Sequence, residues 1–180
     1  MNEPALALPE RTKEDHCTPG WLLDIIRGFA PIGLDPCSNP WSTVNARHAI
    51  SQHEGRNGLD YSWANVFLEH VVFVNPPYGP GKIMPWVEHA TREDLALTGS
   101  CIIMLLPATP DTKWFRKAFD ESNGLCFLSK RVAFEGAYAA GAKQPSALFY
   151  WGNEPERFAE HFKPHGIVIA KVMRQEVLVA

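Results

Sequence analysis

The chain has 180 residues, 46% of them hydrophobic, enough for one substantial buried core without help from disulfides or metals. Seventeen basic against twenty acidic residues give a formal charge of −3, which excludes a histone-like polyanion binder and confines any nucleic-acid surface to a local patch. Cys17, Cys37, Cys101 and Cys126 show no metal or disulfide-framework spacing, and no apolar stretch reaches the roughly 20 residues of a membrane span.

Residues 1–15 are polar and proline-containing and are expected to be loosely ordered, followed by a single folded domain over 16–180. Thr18 offers an N-cap hydroxyl with Pro19 at the first helical position. Trp21, Leu22, Ile25 and Ile26 then recur at helical spacing, predicting a helix to about Gly28. Ile32-Gly33-Leu34 predicts a strand that stops at Asp35, since Pro36 and Ser38-Asn39-Pro40 oppose its continuation. Val71-Val72-Phe73-Val74 is apolar on both faces, as a central parallel strand should be, and Asn75-Pro76-Pro77 ends it abruptly. After a Gly79-Pro80-Gly81 turn, Met84 to Ala96 has a helical period and Ser100 to Leu106 returns as a strand. Thr112 to Ser122 reads as a helix, and Leu125 to Leu128, Ala147 to Trp151 and Gly166 to Met173 read as strands. Such alternation predicts an open, mostly parallel α/β sheet with helices on both faces. Ligands bind such sheets beyond the carboxyl ends of the strands, where Asp35 and Asn75 both fall.

The segment Asn75-Pro76-Pro77-Tyr78 is the candidate catalytic loop. A base amine is a poor nucleophile because its lone pair is conjugated into the ring. Two acceptors facing its two hydrogens free that lone pair. The Asn75 side-chain oxygen and the next backbone carbonyl supply such acceptors, and Pro76 and Pro77 fix the backbone that aims them. Tyr78 adds a flat face for a base turned out of its stack, and Phe134 is a second candidate stacking surface. Taken alone, a Pro-Pro pair is merely a rigid turn; its place directly after a buried strand and before a glycine turn favours the functional reading.

The remaining chemistry-bearing residues admit plainer readings. Pro36-Cys37 has the form of a cytosine carbon-5 nucleophile, but its place after the first strand argues against that role. The seven histidines lack ligand spacing, so no metal site is expected. Lys113, Arg116 and Lys117 share a predicted helix, with Lys130, Arg131 and Lys143 later; the set suits phosphate contacts or, equally, a solvated surface. Trp114, Phe115 and Phe119 read as core. Asp60 and Asp111 are assigned structural or capping roles, since an amine whose lone pair the loop has freed needs no strong base. Free thiols and the lack of a signal-peptide pattern point to the cytoplasm.

The Asn75 to Tyr78 tetrapeptide resembles the hallmark of the amino-methyltransferases, (Asn/Asp/Ser)-Pro-Pro-(Tyr/Phe/Trp) after a central strand of a Rossmann-like sheet. More narrowly, the chain resembles the phage-type DNA N-6-adenine-methyltransferase family. Thr18-Pro19, Leu34-Asp35, Gly58-Leu59 with Trp63, Asn75 to Gly79, Pro85-Trp86-Val87, Leu105-Leu106-Pro107 and Asp111 to Trp114 follow in that family's order. Arg131 to Phe134 and Pro145-Ser146-Ala147 look like its closing elements, so the likeness runs from about residue 17 to 151.

The resemblance implies methyl transfer from S-adenosylmethionine to adenine N6 in double-stranded DNA, with the target base flipped out, by a monomer or homodimer. It implies cofactor contacts from Thr18, Pro19, Asp35, Pro36, Asn57 and Asn75, and DNA contacts from Tyr78, Lys113, Arg116, Lys130, Arg131 and Phe134. The sequence departs from the pattern in two places. Asp35 to Pro40 contains no glycine, and Asn57 stands where the family places a carboxylate. Other amines, namely cytosine N4, RNA adenine and protein glutamine, suit the same loop, and a catalytically silent nucleic-acid binder is the alternative from another class.

Overall fold

The computed structural model describes residues 10, 15–63, 70–93, 99–136 and 145–171; expectations for most of residues 1–14, for the helix beyond residue 93, for Lys143 and for Met173 lie outside them. The described chain runs α1 (Gly20–Phe29), β1 (Ile32–Ser38), β2 (His48–Ser51), β3 (Val71–Val74), α2 (Ile83–Arg92), β4 (Cys101–Pro107), α3 (Lys113–Glu121), β5 (Gly124–Leu128), β6 (Ser146–Trp151), α4 (Pro155–Phe162) and β7 (Gly166–Ala170).

The strands form a seven-stranded sheet in the order β2-β1-β3-β4-β6-β5-β7. Strands β2, β1, β3 and β4 pair in parallel, while β6 is antiparallel to β4 and β5, and β7 is antiparallel to β5. Five strands therefore share one direction, giving the mostly parallel, Rossmann-like sheet that the alternating pattern predicts. Helices α2 and α3 pack on one face through Ile83, Trp86, Val87, Ala90, Phe115 and Ala118. On the other face α1 and α4 pack through Leu22, Leu23, Ile26, Phe29, Phe158 and Phe162. The chain steps from β1 outward to β2 and then back to β3 on the other side of β1, which makes the β1/β3 boundary a topological switch point.

Strand β1 is irregular in a way that matters for that boundary. Ile32 pairs with Val71 and Leu34 with Val72, so the register slips by one residue, and Ile32 and Leu34 bury into opposite cores although they are two apart. The strand also runs on to Ser38 rather than stopping at Asp35. Beyond Asp35 its pairing to β2 is irregular, and that break accommodates Pro36, which has no N–H to donate.

Other expectations are corrected as well. Pro19, with no side-chain cap bond, is the N-cap of α1; Thr18 lies one residue outside, and its hydroxyl is occupied elsewhere. Strand β2 and helix α4 are elements beyond those predicted.

Gly58 shows how tightly the β1 end is packed. A Cβ there would stand 2.1 Å from the Pro36 carbonyl oxygen, and the Gly58 carbonyl already accepts the Trp63 indole N–H at 2.9 Å. Gly58→Ala should therefore destabilise by about 2–3 kcal/mol through overpacking, lowering the melting temperature by roughly 4–12 °C. Calorimetry checks this, and an unchanged melting temperature would contradict the packing described.

Candidate active site

Strand β3 ends because Pro76 and Pro77 have no N–H for a ladder. Its last residue, Val74, pairs with Met104, so Asn75 leaves the sheet beside Leu105. The Tyr78 hydroxyl returns to that neighbour and donates to the Leu105 carbonyl at 2.9 Å. Phe134 meets the Tyr78 ring edge-on, with centroids 5.7 Å apart. Together the tether and the ring contact fix the plane of Tyr78. Burial, and then the nearby Cys37, push its phenol pKa well up, so Tyr78 stays protonated as a donor. The Asn75 side-chain Nδ2 donates to the buried Thr18 hydroxyl at 3.2 Å, which ties the loop to the start of α1.

The adjacent end of β1 is anchored by Asp35, only 3% exposed. Its carboxylate accepts the Cys37 backbone N–H at 3.1 Å and the Ser42 hydroxyl at 3.2 Å, holding the turn after the strand closed. Burial raises its pKa from 3.8 to about 6, against the lowering pull of Cys37, Ser42 and Ser38. Burial, and then the Asp35 charge, raise the Cys37 thiol well above its ordinary value, with the Asn75 backbone N–H pulling the other way. A thiol held neutral in this way is unsuited to covalent attack on a base, consistent with the rejection of Pro36-Cys37 as a nucleophile.

A cavity of about 530 Å³ lies where these two strand ends meet. Its wall combines Pro36 to Asn39, Ile50, Gln52 and His53 with Asn75 to Pro80, Lys82 and Trp86, and includes Asp15, His16 and Phe134. Asp15 pairs with His53 at 2.8 Å, whose ring meets Trp41 edge-on, and His16 lies against Phe134. Cys17 exchanges both backbone hydrogen bonds with Glu135 at 2.9 and 3.0 Å, so the segment carrying Phe134 is stitched to the segment before α1.

The residues singled out in the sequence occupy three kinds of place. Pro36, Asn75, Pro76, Pro77, Tyr78 and Phe134 form part of the cavity wall. Thr18, Pro19 and Asp35 are buried behind it, and the Asn57 side-chain oxygen accepts the Leu59 N–H to cap a short turn. Lys113 and Arg116 are exposed on α3, and Lys130 and Arg131 are exposed after β5, with the Lys130 ammonium 4.5 Å from the Trp21 ring centroid. Sequence reasoning missed Asp15, Gln52 and His53, which reach the wall from elements distant in the chain, and Lys82, which follows the loop of Asn75 to Tyr78. Among the described residues no group of three or more His, Cys, Asp or Glu could hold a metal ion, and no helix is long and apolar enough to cross a membrane.

A mostly parallel sheet with an Asn-Pro-Pro-Tyr loop at the switch point has the architecture of a Rossmann-like methyltransferase. The chain belongs to the DNA N-6-adenine-methyltransferase (Dam) family, whose model matches residues 6–177. No curated protein matches the chain. Family membership implies methyl transfer to adenine in DNA.

The raised pKa of Asp35 makes a signed prediction. A folded-state value of about 6 against 3.8 means that ionising Asp35 opposes folding. The stability advantage is full below the ordinary value and is lost as pH rises through the folded one. Asp35→Asn keeps an acceptor for the Cys37 N–H and removes the titration. Its stability relative to wild type should rise by up to ~3 kcal/mol between about pH 4 and about pH 7. Urea unfolding at both pH values checks this, and a pH-independent difference would contradict it.

Proposed function

We propose that this chain transfers a methyl group from S-adenosylmethionine to the exocyclic N6 of adenine in DNA by direct in-line displacement. The observation that carries the reading is Asn75, whose Nδ2 is committed to Thr18 while the residue forms part of the cavity wall. That bond fixes the amide plane and reserves Oδ1 as an acceptor. With the Pro76 carbonyl it can receive both hydrogens of a base amine and free the nitrogen lone pair.

The cavity suits the cofactor in size and chemistry. Its volume of about 530 Å³ falls within the range of roughly 300–1,000 Å³ usual for small-molecule sites. Ser38, Asn39, Gln52 and Asp15 offer polar groups for a nucleoside sugar and an amino-acid tail. Pro36 and Asn75 would touch the cofactor directly, while Thr18, Pro19 and Asp35 brace the wall that receives it. Bound there, S-adenosylmethionine supplies a methyl group on a sulfonium sulfur.

The protein's own part is positioning. Tyr78 and Phe134 give a flipped adenine an aromatic wall, the first tethered through its hydroxyl and the second through its stitched segment. Asn75 Oδ1 and the Pro76 carbonyl would hold N6 in line with the methyl donor, and the surplus proton of the methylated amine would leave to water. No covalent enzyme intermediate is required. Exposed Lys113, Arg116, Lys130 and Arg131 would contact the duplex backbone away from the pocket.

Asn75→Ala should lower methyl transfer to DNA by ~100-fold or more, on the scale of removing one group that stabilises a transition state. Its melting temperature should stay within a few degrees of wild type, since the Asn75 side chain belongs to neither core. Turnover near the wild-type rate would remove Asn75 from the chemistry. Tyr78→Ala should weaken capture of a DNA base more than binding of S-adenosylhomocysteine, as paired titrations would show; equal losses would count against a stacking role.

A further inference from the structure

We propose that Lys82 binds a backbone phosphate of the DNA strand beside the flipped nucleotide, at the rim of the base pocket. The proposal rests on the reading of the chain as a DNA adenine methyltransferase.

Among the described residues of the cavity wall, Lys82 is the one lysine or arginine, and it is exposed. Its backbone N–H donates to the Gly79 carbonyl at 3.1 Å, closing a turn in which Gly81 takes the left-handed conformation at φ 74°. That turn lays the side-chain stem across the glycine that follows Tyr78. A Cβ built on Gly79 would stand 3.4 Å from Lys82 Cδ and 3.7 Å from Cε and Cγ. The cation therefore belongs to the same rigid loop as Asn75 and Tyr78, a few residues after the aromatic face.

The chemistry of the substrate supplies the other half. A base drawn into the pocket leaves its sugar and flanking phosphates at the rim, each phosphate carrying a negative charge. The chain's formal charge of −3 provides no general attraction for a polyanion, so the compensation must be local. Lys113, Arg116, Lys130 and Arg131 all lie outside the cavity wall, whereas Lys82 is part of it. A compact ammonium on a flexible stem suits a phosphate oxygen, for which no bidentate geometry is required.

The test measures duplex DNA binding as a function of salt for wild type, Lys82→Gln and Lys82→Arg, with S-adenosylhomocysteine affinity measured on the same samples. Losing one phosphate contact should make the slope of log affinity against log salt shallower by ~0.9 in Lys82→Gln, and Lys82→Arg should restore it. Methylation kinetics at fixed salt should show a rise in KM for DNA of ~5-fold, larger than any change in kcat. An unchanged slope in Lys82→Gln overturns the assignment. Lost S-adenosylhomocysteine affinity with an intact slope overturns it too, and places the lysine on the cofactor's carboxylate. A wild-type protein that neither binds nor methylates DNA defeats the underlying reading, an outcome distinct from an active wild type matched by its variant.

Discussion

The architecture depends on one constraint, the termination of β3 between two parallel neighbours. Val74 is locked to Met104 on one side of the strand, while the slipped register of β1 lies on the other. Two prolines then deny the chain any further ladder bond, so it must turn out of the sheet at Asn75. Because β1 ends beside β3 at the switch point, the turn held by Asp35 and the loop of Asn75 to Tyr78 open onto one cavity. Relax the pairing of either neighbour, and the side chains that face each other across that cavity lose their common reference.

The site is stiffened by small polar bonds set against large apolar cores. Asn75 is fixed through Thr18, Tyr78 through the Leu105 carbonyl, and the β1 turn through Asp35. Each bond alone contributes on the order of 1 kcal/mol, less than the burial of one large core side chain. Their value lies in orientation. Asp35 is the costly member, since burial disfavours its charge and only Cys37, Ser42 and Ser38 offset the penalty. In the proposed chemistry such orientation is what the protein contributes, because an amine and an activated methyl group need alignment more than proton transfer.

The fold class and the loop were legible in the sequence because their determinants are local. Val71 to Val74 is apolar on both faces, and Asn75 to Tyr78 carries its own backbone restriction. Strand β2 was not legible, because His48-Ala49-Ile50-Ser51 is too short and half exposed to display a period. Helix α4 did carry a signal, with Pro155 opening it and Phe158 and Phe162 one turn apart. The continuation of β1 through Pro36 was hidden because a bulge, which depends on pairing with β2, is what makes room for proline. The insertion of β6 between β4 and β5 is likewise fixed by long-range pairing. The cavity wall was legible only where it coincides with the loop and with Pro36 and Phe134. Asp15 and His53 meet across 38 positions of sequence, a separation at which no spacing rule operates.

The central claim is that the cavity delivers a methyl group to the amine of a DNA adenine. Its most direct test is transfer of labelled methyl from S-adenosylmethionine to unmethylated DNA, RNA and protein in parallel, followed by nucleoside analysis of the labelled product. The account predicts label in DNA, recovered as N6-methyladenine. Label confined to RNA or protein, or on cytosine in DNA, would contradict the assigned acceptor, and label nowhere would contradict the catalytic reading of the loop.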